Sequence, residues 1–205
     1  MENVDQHLKR VLAAVSPLQI ANCPLREAHG RRLASDISAR LAVPAWDNSA
    51  MDGYAVRFAD IEGVSAGHPV TLRIVGDVPA GSQEDPQIEL GEAVRIMTGA
   101  PIPSDADTIV PLELTNRNEP LADLAQDVTI LESQGPGKHV RRTGEDVAPG
   151  TVIAHKGQKM HAALVAAIAS SGHSEVEVFA QPRVAVIATG SELVDPGQEL
   201  LRGQI

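Results

Sequence analysis

The sequence predicts an α+β protein of several parts, in which an all-β barrel- or sandwich-like domain is inserted between smaller α/β pieces. Three observations carry this. Between about Pro44 and Gly150, short alternating apolar runs are separated by Pro, Gly, Asp and Asn, the texture of regularly spaced strands joined by turns. Helical patterns stand on either side of that stretch. Near the C-terminal end, Val184–Ala188 is apolar at every position and runs directly into Thr189-Gly190, as expected of a strand buried on both faces of a parallel sheet.

The elements follow in chain order. Val4, Leu8, Val11, Leu12 and Val15 recur at helical spacing, with Asp5, Lys9 and Arg10 on the other side, which predicts an amphipathic helix. Pro17 and Pro24 bracket a short connection, a helical turn follows over Pro24–Ala28, and Leu33–Ile37 can form a strand. Tyr54–Val56, Val70–Ile74, Val94–Ile96, Thr108–Val110 and Val128–Ile130 read as strands of the β domain. Asn116 to Gln126 reads as a solvated hairpin tip. Lys159–Ser171 is Ala-rich and ends at Gly172, a helix with a glycine stop. The expected division is residues 1–43 with 151–180 as a flanking α/β piece, 44–150 as the inserted β domain, and 181–205 as the start of an α/β domain. One strand cannot bury an α/β core, so the chain is expected to be the N-terminal half of a longer protein, folded but inert by itself.

Composition excludes several functions. The 205 residues carry a formal net charge of −10, which argues against a general nucleic-acid or anionic-membrane surface, although Lys138, Arg141 and Arg142 form a local basic cluster. The single cysteine, Cys23, rules out an internal disulfide and CxxC metal sites, and suits a reducing cytoplasm. No apolar run is long enough to span a bilayer, and the N-terminus lacks a secretion pattern. Gly135-Pro136-Gly137-Lys138 fails the phosphate-loop pattern because no glycine stands five residues before Gly137 and a histidine follows the lysine. HExxH and the dinucleotide glycine fingerprint are absent from the sequence.

The densest chemistry lies in Pro44-Ala45-Trp46-Asp47-Asn48-Ser49-Ala50-Met51-Asp52-Gly53-Tyr54-Ala55-Val56, which sets two acids, an amide and a hydroxyl within six residues. Such residues tie short turns through their own side chains, and a capped surface turn is the plain alternative to a site. Three further motifs follow: Arg95-Ile96-Met97-Thr98-Gly99-Ala100-Pro101-Ile102-Pro103, Arg141-Arg142-Thr143-Gly144-Glu145-Asp146, and Ala188-Thr189-Gly190-Ser191-Glu192-Leu193. Together, in this order, they resemble the signature of the molybdopterin molybdenumtransferases, the family of MoeA and the gephyrin E domain. Family members often carry Asp where this chain has Ser191.

The resemblance implies an enzyme that takes adenylylated molybdopterin and molybdate, releases AMP and leaves molybdenum on the dithiolene, with Mg2+ as cofactor. Breaking a phosphoanhydride requires neutralisation of phosphate charge, and hard oxygen ligands suit magnesium. Asp52, Asp146 and Glu192 are the candidate metal ligands and, with Thr98, the candidate catalytic residues; Ser49, Gly53, Gly99, Arg141, Arg142, Thr189 and Gly190 are candidates for substrate binding. Gly53 would let a phosphate or hydrated cation approach the backbone beside Asp52. Thr98-Gly99 would offer a hydroxyl and a free N–H to one oxyanion oxygen, or is a simple turn. Arg141 and Arg142 point to opposite faces if they lie on a strand, so at most one meets a given ligand. Asp146 either binds metal or pairs with one of those arginines, and Glu192 either sits at a sheet mouth or favours the first turn of a helix. Trp46 and Tyr54 are expected as core anchors. The resemblance further implies an elongated homodimer, with the site between the β domain of one subunit and the α/β domain of the other. It leaves room for contact with a molybdopterin adenylyltransferase or other proteins of the pathway, and for a non-catalytic scaffold module as the competing class.

Overall fold

The computed structural model describes residues 2–117 and 126–205; most of the expected hairpin tip between Asn116 and Gln126 therefore lies outside the described residues. Two α-helices and eleven strands occur among the described residues. In chain order they are α1 (Val4–Ala13), β1 (Ile20–Pro24), β2 (Ile37–Ser38), β3 (Asn48–Ser49), β4 (Gly53–Val56), β5 (Val70–Val78), β6 (Glu92–Ile96), β7 (Thr108–Pro111), β8 (Asp127–Ile130), β9 (Val140–Arg141), β10 (Val152–Ala154), α2 (Ala162–Ser170) and β11 (Glu175–Phe179).

The expected strands between residues 44 and 150 form one five-stranded sheet in the order β7-β4-β6-β5-β8. It is mixed: β5 and β6 run parallel, with Asp77 beside Arg95, while the other pairs are antiparallel. The outer strands β7 and β8 share no ladder, yet the chain just past β7 meets β8 through a Thr115–Ile130 bridge and the Asn116 amide on the Thr129 carbonyl. The result is a single curled sheet buried on both faces. The alternation of side chains shows why. Tyr54, Val56, Leu72, Val110, Val128 and Ile130 join one buried cluster, whereas Ala55, Val94, Ile96 and Ile109 join another on the opposite face.

A third cluster draws on residues before and after this stretch. Cys23, Leu25, Leu33 and Ile37 pack with Ala154, Met160, Leu164, Ile168, Val176 and Val178. Here β1 pairs antiparallel with β11, and α2 lays Leu164 and Ile168 inward. His161 caps α2 by accepting the Leu164 amide hydrogen at 3.2 Å, and Gly172 closes it at φ +93°, the left-handed stop that glycine adopts without cost. The chain leaves and returns side by side: the amides of Val43 and Val147 each donate to the other's carbonyl, at 2.9 and 3.0 Å.

Two segments stand apart from these cores. Helix α1 has the expected amphipathic pattern and a complete Asn3/Gln6 capping box, yet none of its residues is buried. Residues 181–190 contain no helix or strand and are exposed throughout, which corrects the expected strand at Val184–Ala188. An apolar run becomes a strand only where a neighbour takes up its backbone N–H and C=O groups, and no strand pairs with it among the described residues. No helix among the described residues is long and apolar enough to cross a membrane.

Candidate functional site

Three of the four motifs meet at one corner of the five-stranded sheet. The first enters through β3, where Ser49 N–H donates to the Ala100 carbonyl (3.0 Å) and the Ser49 carbonyl accepts Gly99 N–H (2.8 Å). That joins the first motif to the second. The third joins through the β3–β9 pair, with Asn48 opposite Arg141 and Ser49 opposite Val140.

Asp52 lies in the turn between β3 and β4. Its Oδ1 accepts both the Thr98 amide and the Thr98 hydroxyl, each at 2.7 Å, and its Oδ2 takes no hydrogen bond among the described residues. The Thr98 amide bond, then the hydroxyl, then the nearby Arg95 guanidinium hold the Asp52 carboxyl below the usual carboxylate range. Hydrogen bonds to the charged form favour ionisation, so Asp52 is anionic at neutral pH. The geometry also corrects the expectation of a free N–H at Thr98-Gly99, since both amides are committed to protein acceptors. The Thr98 and Gly99 surfaces are nevertheless exposed, with Gly99 at φ +82°.

Gly53 and Ser49 serve the fold. A Cβ at Gly53 would collide with the Val110 backbone carbonyl, so the missing side chain lets β7 approach β4 rather than admitting a phosphate. Ser49 is fully buried, and its hydroxyl donates to the Met51 carbonyl at 2.6 Å. Tyr54 is buried as expected, but Trp46 is 57% exposed, a correction to its expected place in the core. The chain turns outward at Trp46, while Asn48 is the buried member, donating its side-chain amide to the Trp46 carbonyl.

Of the two arginines only Arg141 lies on β9; Arg142 follows it outside the strand. Arg142 pairs with Asp47 at 2.7 Å. Arg141 is exposed, with no ion pair or side-chain hydrogen bond among the described residues. Asp146 is exposed and pairs with neither arginine, which removes the ion-pair reading of that residue. Glu145, not Asp146, accepts the Arg142 amide at 2.8 Å.

The fourth motif is not brought to this corner by any described contact. Thr189, Gly190 and Glu192 are exposed, and Glu192 lies in a turn, not in a helix; its carboxylate folds back over Gly190. Among the described residues, no three His, Cys, Asp or Glu side chains converge as a metal site, so Asp52, Asp146 and Glu192 are not gathered into one. A single carboxylate with an open oxygen still fits magnesium, which takes one or two carboxylates and completes its shell with water and phosphate oxygens.

Two residues that sequence reasoning did not single out belong to the corner. Asp47 accepts from Arg142 and Thr143, and Arg95 lies behind Asp52, 3.6 Å from Asp77. Both were visible as charged residues inside the first two motifs. A cavity of about 200 Å³ opens beside Asp47 and Arg142, lined also by Ile102, Pro103, Ser104 and Asp107. A larger cavity of about 450 Å³, between Pro17-Leu18, Gly30–Arg32 and Phe179–Pro182, contains no motif residue. The smaller one is lined by residues of the first three motifs, among them Asp47, Ile102 and Arg142.

Comparison with known proteins shows what the chain resembles. The family model for the MoeA N-terminal region, domains I and II, matches residues 2–172. Molybdopterin molybdenumtransferase 2 of Mycobacterium tuberculosis is 42% identical over 205 residues, 100% of this chain and 49% of that protein. The molybdopterin molybdenumtransferase of a Nostoc species is 41% identical over 178 residues, 87% of this chain and 39% of its own length. The crystal structure of a molybdopterin biosynthesis MoeA protein from Pyrococcus horikoshii superposes with a TM-score of 0.78 at 34% identity, covering 94% of this chain and 50% of that one. The chain thus spans about half the length of the relatives it matches.

Proposed function

The chain belongs to the MoeA N-terminal region family, and on that premise we propose that it forms the N-terminal part of a cytoplasmic enzyme of molybdenum cofactor biosynthesis. The reaction takes adenylylated molybdopterin and molybdate, cleaves the phosphoanhydride with release of AMP, and leaves molybdenum on the dithiolene. We assign residues 1–43 with 151–180 to a flanking domain, 44–150 to the β domain, and 181–205 to the beginning of an α/β domain that carries Thr189, Gly190 and Glu192.

The observation that carries the reading is the Asp52 carboxylate. It is held ionised by Thr98 through Oδ1 and keeps Oδ2 open. An acid kept anionic is a poor proton donor at neutral pH and a good ligand for a hydrated cation. Asp52 would hold magnesium, with Asp146 or Glu192 contributing once substrate and partner groups are in place. When bound, the ion supplies neutralisation of phosphate charge as the anhydride breaks. Arg141, unpaired among the described residues, meets the oxyanion with a fixed, permanently charged fork. Thr98 orients the carboxylate rather than the substrate, and Gly99 leaves an uncrowded surface beside it.

A homodimer is part of this proposal. Support comes from apolar surface that the described fold does not cover: Val4, Leu8, Val11 and Leu12 on α1, and Val184, Val186 and Ile187. A second subunit and the α/β domain would bury both and bring the fourth motif to Asp52. A molybdopterin adenylyltransferase is the natural donor of the adenylylated substrate. The scaffold alternative would dispense with Asp52, Asp146 and Glu192, and this chain has all three.

The test is complementation. The protein is expressed from its complete reading frame in a strain lacking molybdenumtransferase activity, and the activity of a molybdoenzyme reporter is measured. Return of reporter activity that depends on magnesium in the purified reaction supports the proposal. A folded protein that restores nothing overturns it.

A further inference from the structure

The third motif carries Arg141 on an exposed segment that includes only a two-residue strand, β9. Two hydrogen-bonded strand residues do not fix the aim of a long side chain, so something else must hold the loop. The contacts name it. Asp47 Oδ1 accepts the Thr143 amide at 2.7 Å and the Thr143 hydroxyl at 3.0 Å, while Oδ2 accepts the Arg142 guanidinium at 2.7 Å. The Asp47 carbonyl also accepts Ile102 N–H at 3.2 Å. The carbonyls of Pro44 and Val43 hold the far end of this loop through the Gly144 and Asp146 amides, at 2.9 and 3.0 Å. At the near end, beside Arg141, Asp47 supplies the side-chain tether and also meets the exit of the second motif. Arg142 is held in an ion pair, and its neighbour Arg141, opposite Asn48 in the register, is left to project alone.

Resting on the functional reading above, we propose that Asp47 is a positioning residue: it fixes the Arg141–Asp146 loop so that Arg141 meets the phosphate of the substrate, without itself touching substrate. Asp47 is partly exposed, so its bonds to Thr143 hold the loop in place more than they stabilise the fold. Misplacing a binding arginine weakens ground state and transition state alike, which raises KM and leaves kcat nearly unchanged.

The experiment compares Asp47→Ala and Asp47→Asn with the wild type, using the protein from its complete reading frame. Molybdenum insertion is measured against adenylylated molybdopterin, and amide exchange at Thr143 is followed in parallel. Asp47→Ala is expected to speed Thr143 exchange at least about tenfold, with Ala100 and Ile109 unchanged, and to raise KM by about tenfold to a hundredfold with kcat within about twofold. Asp47→Asn keeps an acceptor for Thr143 but loses the ion pair, and should fall between Ala and wild type; it carries the test if Asp47→Ala does not fold. Faster exchange with unchanged KM overturns the proposal, because the tether would then be structural only. A fall in kcat at constant KM overturns it as well, since that marks a direct part in the chemistry. Unchanged exchange and kinetics also overturn it. An inactive wild type overturns the functional reading, while the exchange arm still decides whether Asp47 tethers the loop.

Discussion

The corner formed by the first three motifs and the segment that carries the fourth are built from similar residues, yet they are opposites. In the corner, the backbones of Ser49, Gly99, Ala100 and Ile102 are cross-linked by hydrogen bonds, and the carboxylates of Asp47 and Asp52 each hold an amide and a hydroxyl of another motif. Around Glu192, the backbone bonds run within the segment itself, from Leu193 to Gly190 and from Ile205 to Glu192. The difference teaches that a polar motif becomes a site only when the sheet beneath it supplies neighbours. The corner stands on strands buried on both faces, and the fourth motif stands on an apolar run that pairs with no strand among the described residues.

The comparison breaks most sharply through core deletions. Ile96 lies under the corner with no exposure, and Ile187 is 80% exposed. Ile96→Ala should cost about 2–5 kcal/mol in urea unfolding, whereas Ile187→Ala should stay within about 0.5 kcal/mol. Equal effects of the two would show that the terminal segment has a core of its own.

A finer contrast uses isosteric loss of a hydroxyl. Thr98→Val removes one of two bonds to Asp52 and should destabilise by about 0.5–1.5 kcal/mol. Thr189→Val, which loses no hydrogen-bond partner among the described residues, should be nearly silent. If Thr98→Val were also silent, the Asp52–Thr98 contact would not hold the corner together.

The smallest expected effect is acid dependence. The carboxyls of Asp47 and Asp52 are both lowered in the fold, chiefly by the Thr143 amide for Asp47 and the Thr98 amide for Asp52. A depressed folded pKa contributes stability above the unfolded value, near pH 4, and that contribution is lost as pH falls through the lower folded value. The stability gap between wild type and Asp47→Asn/Asp52→Asn should therefore be full at pH 7 and close below about pH 4. Because both side chains are partly solvated, the gap will be modest. A gap independent of pH would contradict the ionised state assigned to the pair.

Much of this was legible in the sequence because it depends on near neighbours. Alternation located β4 to β8, and helical spacing with its stops located α1 and α2. Strand order was not legible: period two says that Val94 and Ile96 share a face, but not that β6 lies parallel to β5. The convergence of the first three motifs was implied only by resemblance, since Asp47 finds its partners at Arg142 and Thr143 through β3–β9 pairing. Trp46 misled because a rare aromatic suggests a core, while the buried position in that loop went to Asn48. The strand expected at Val184–Ala188 failed for want of a neighbour, which no local pattern supplies.

The central claim is that Asp52 is the acid on which the chemistry turns, held in place but not needed for the fold. Asp52→Ala in the protein expressed from its complete reading frame tests it, with molybdoenzyme reporter activity and thermal unfolding measured on the same variant. The account predicts that reporter activity is abolished while cooperative unfolding is retained, the fold losing only its two Thr98 bonds, about 1–3 kcal/mol. Near-normal reporter activity in cells carrying only Asp52→Ala would contradict it.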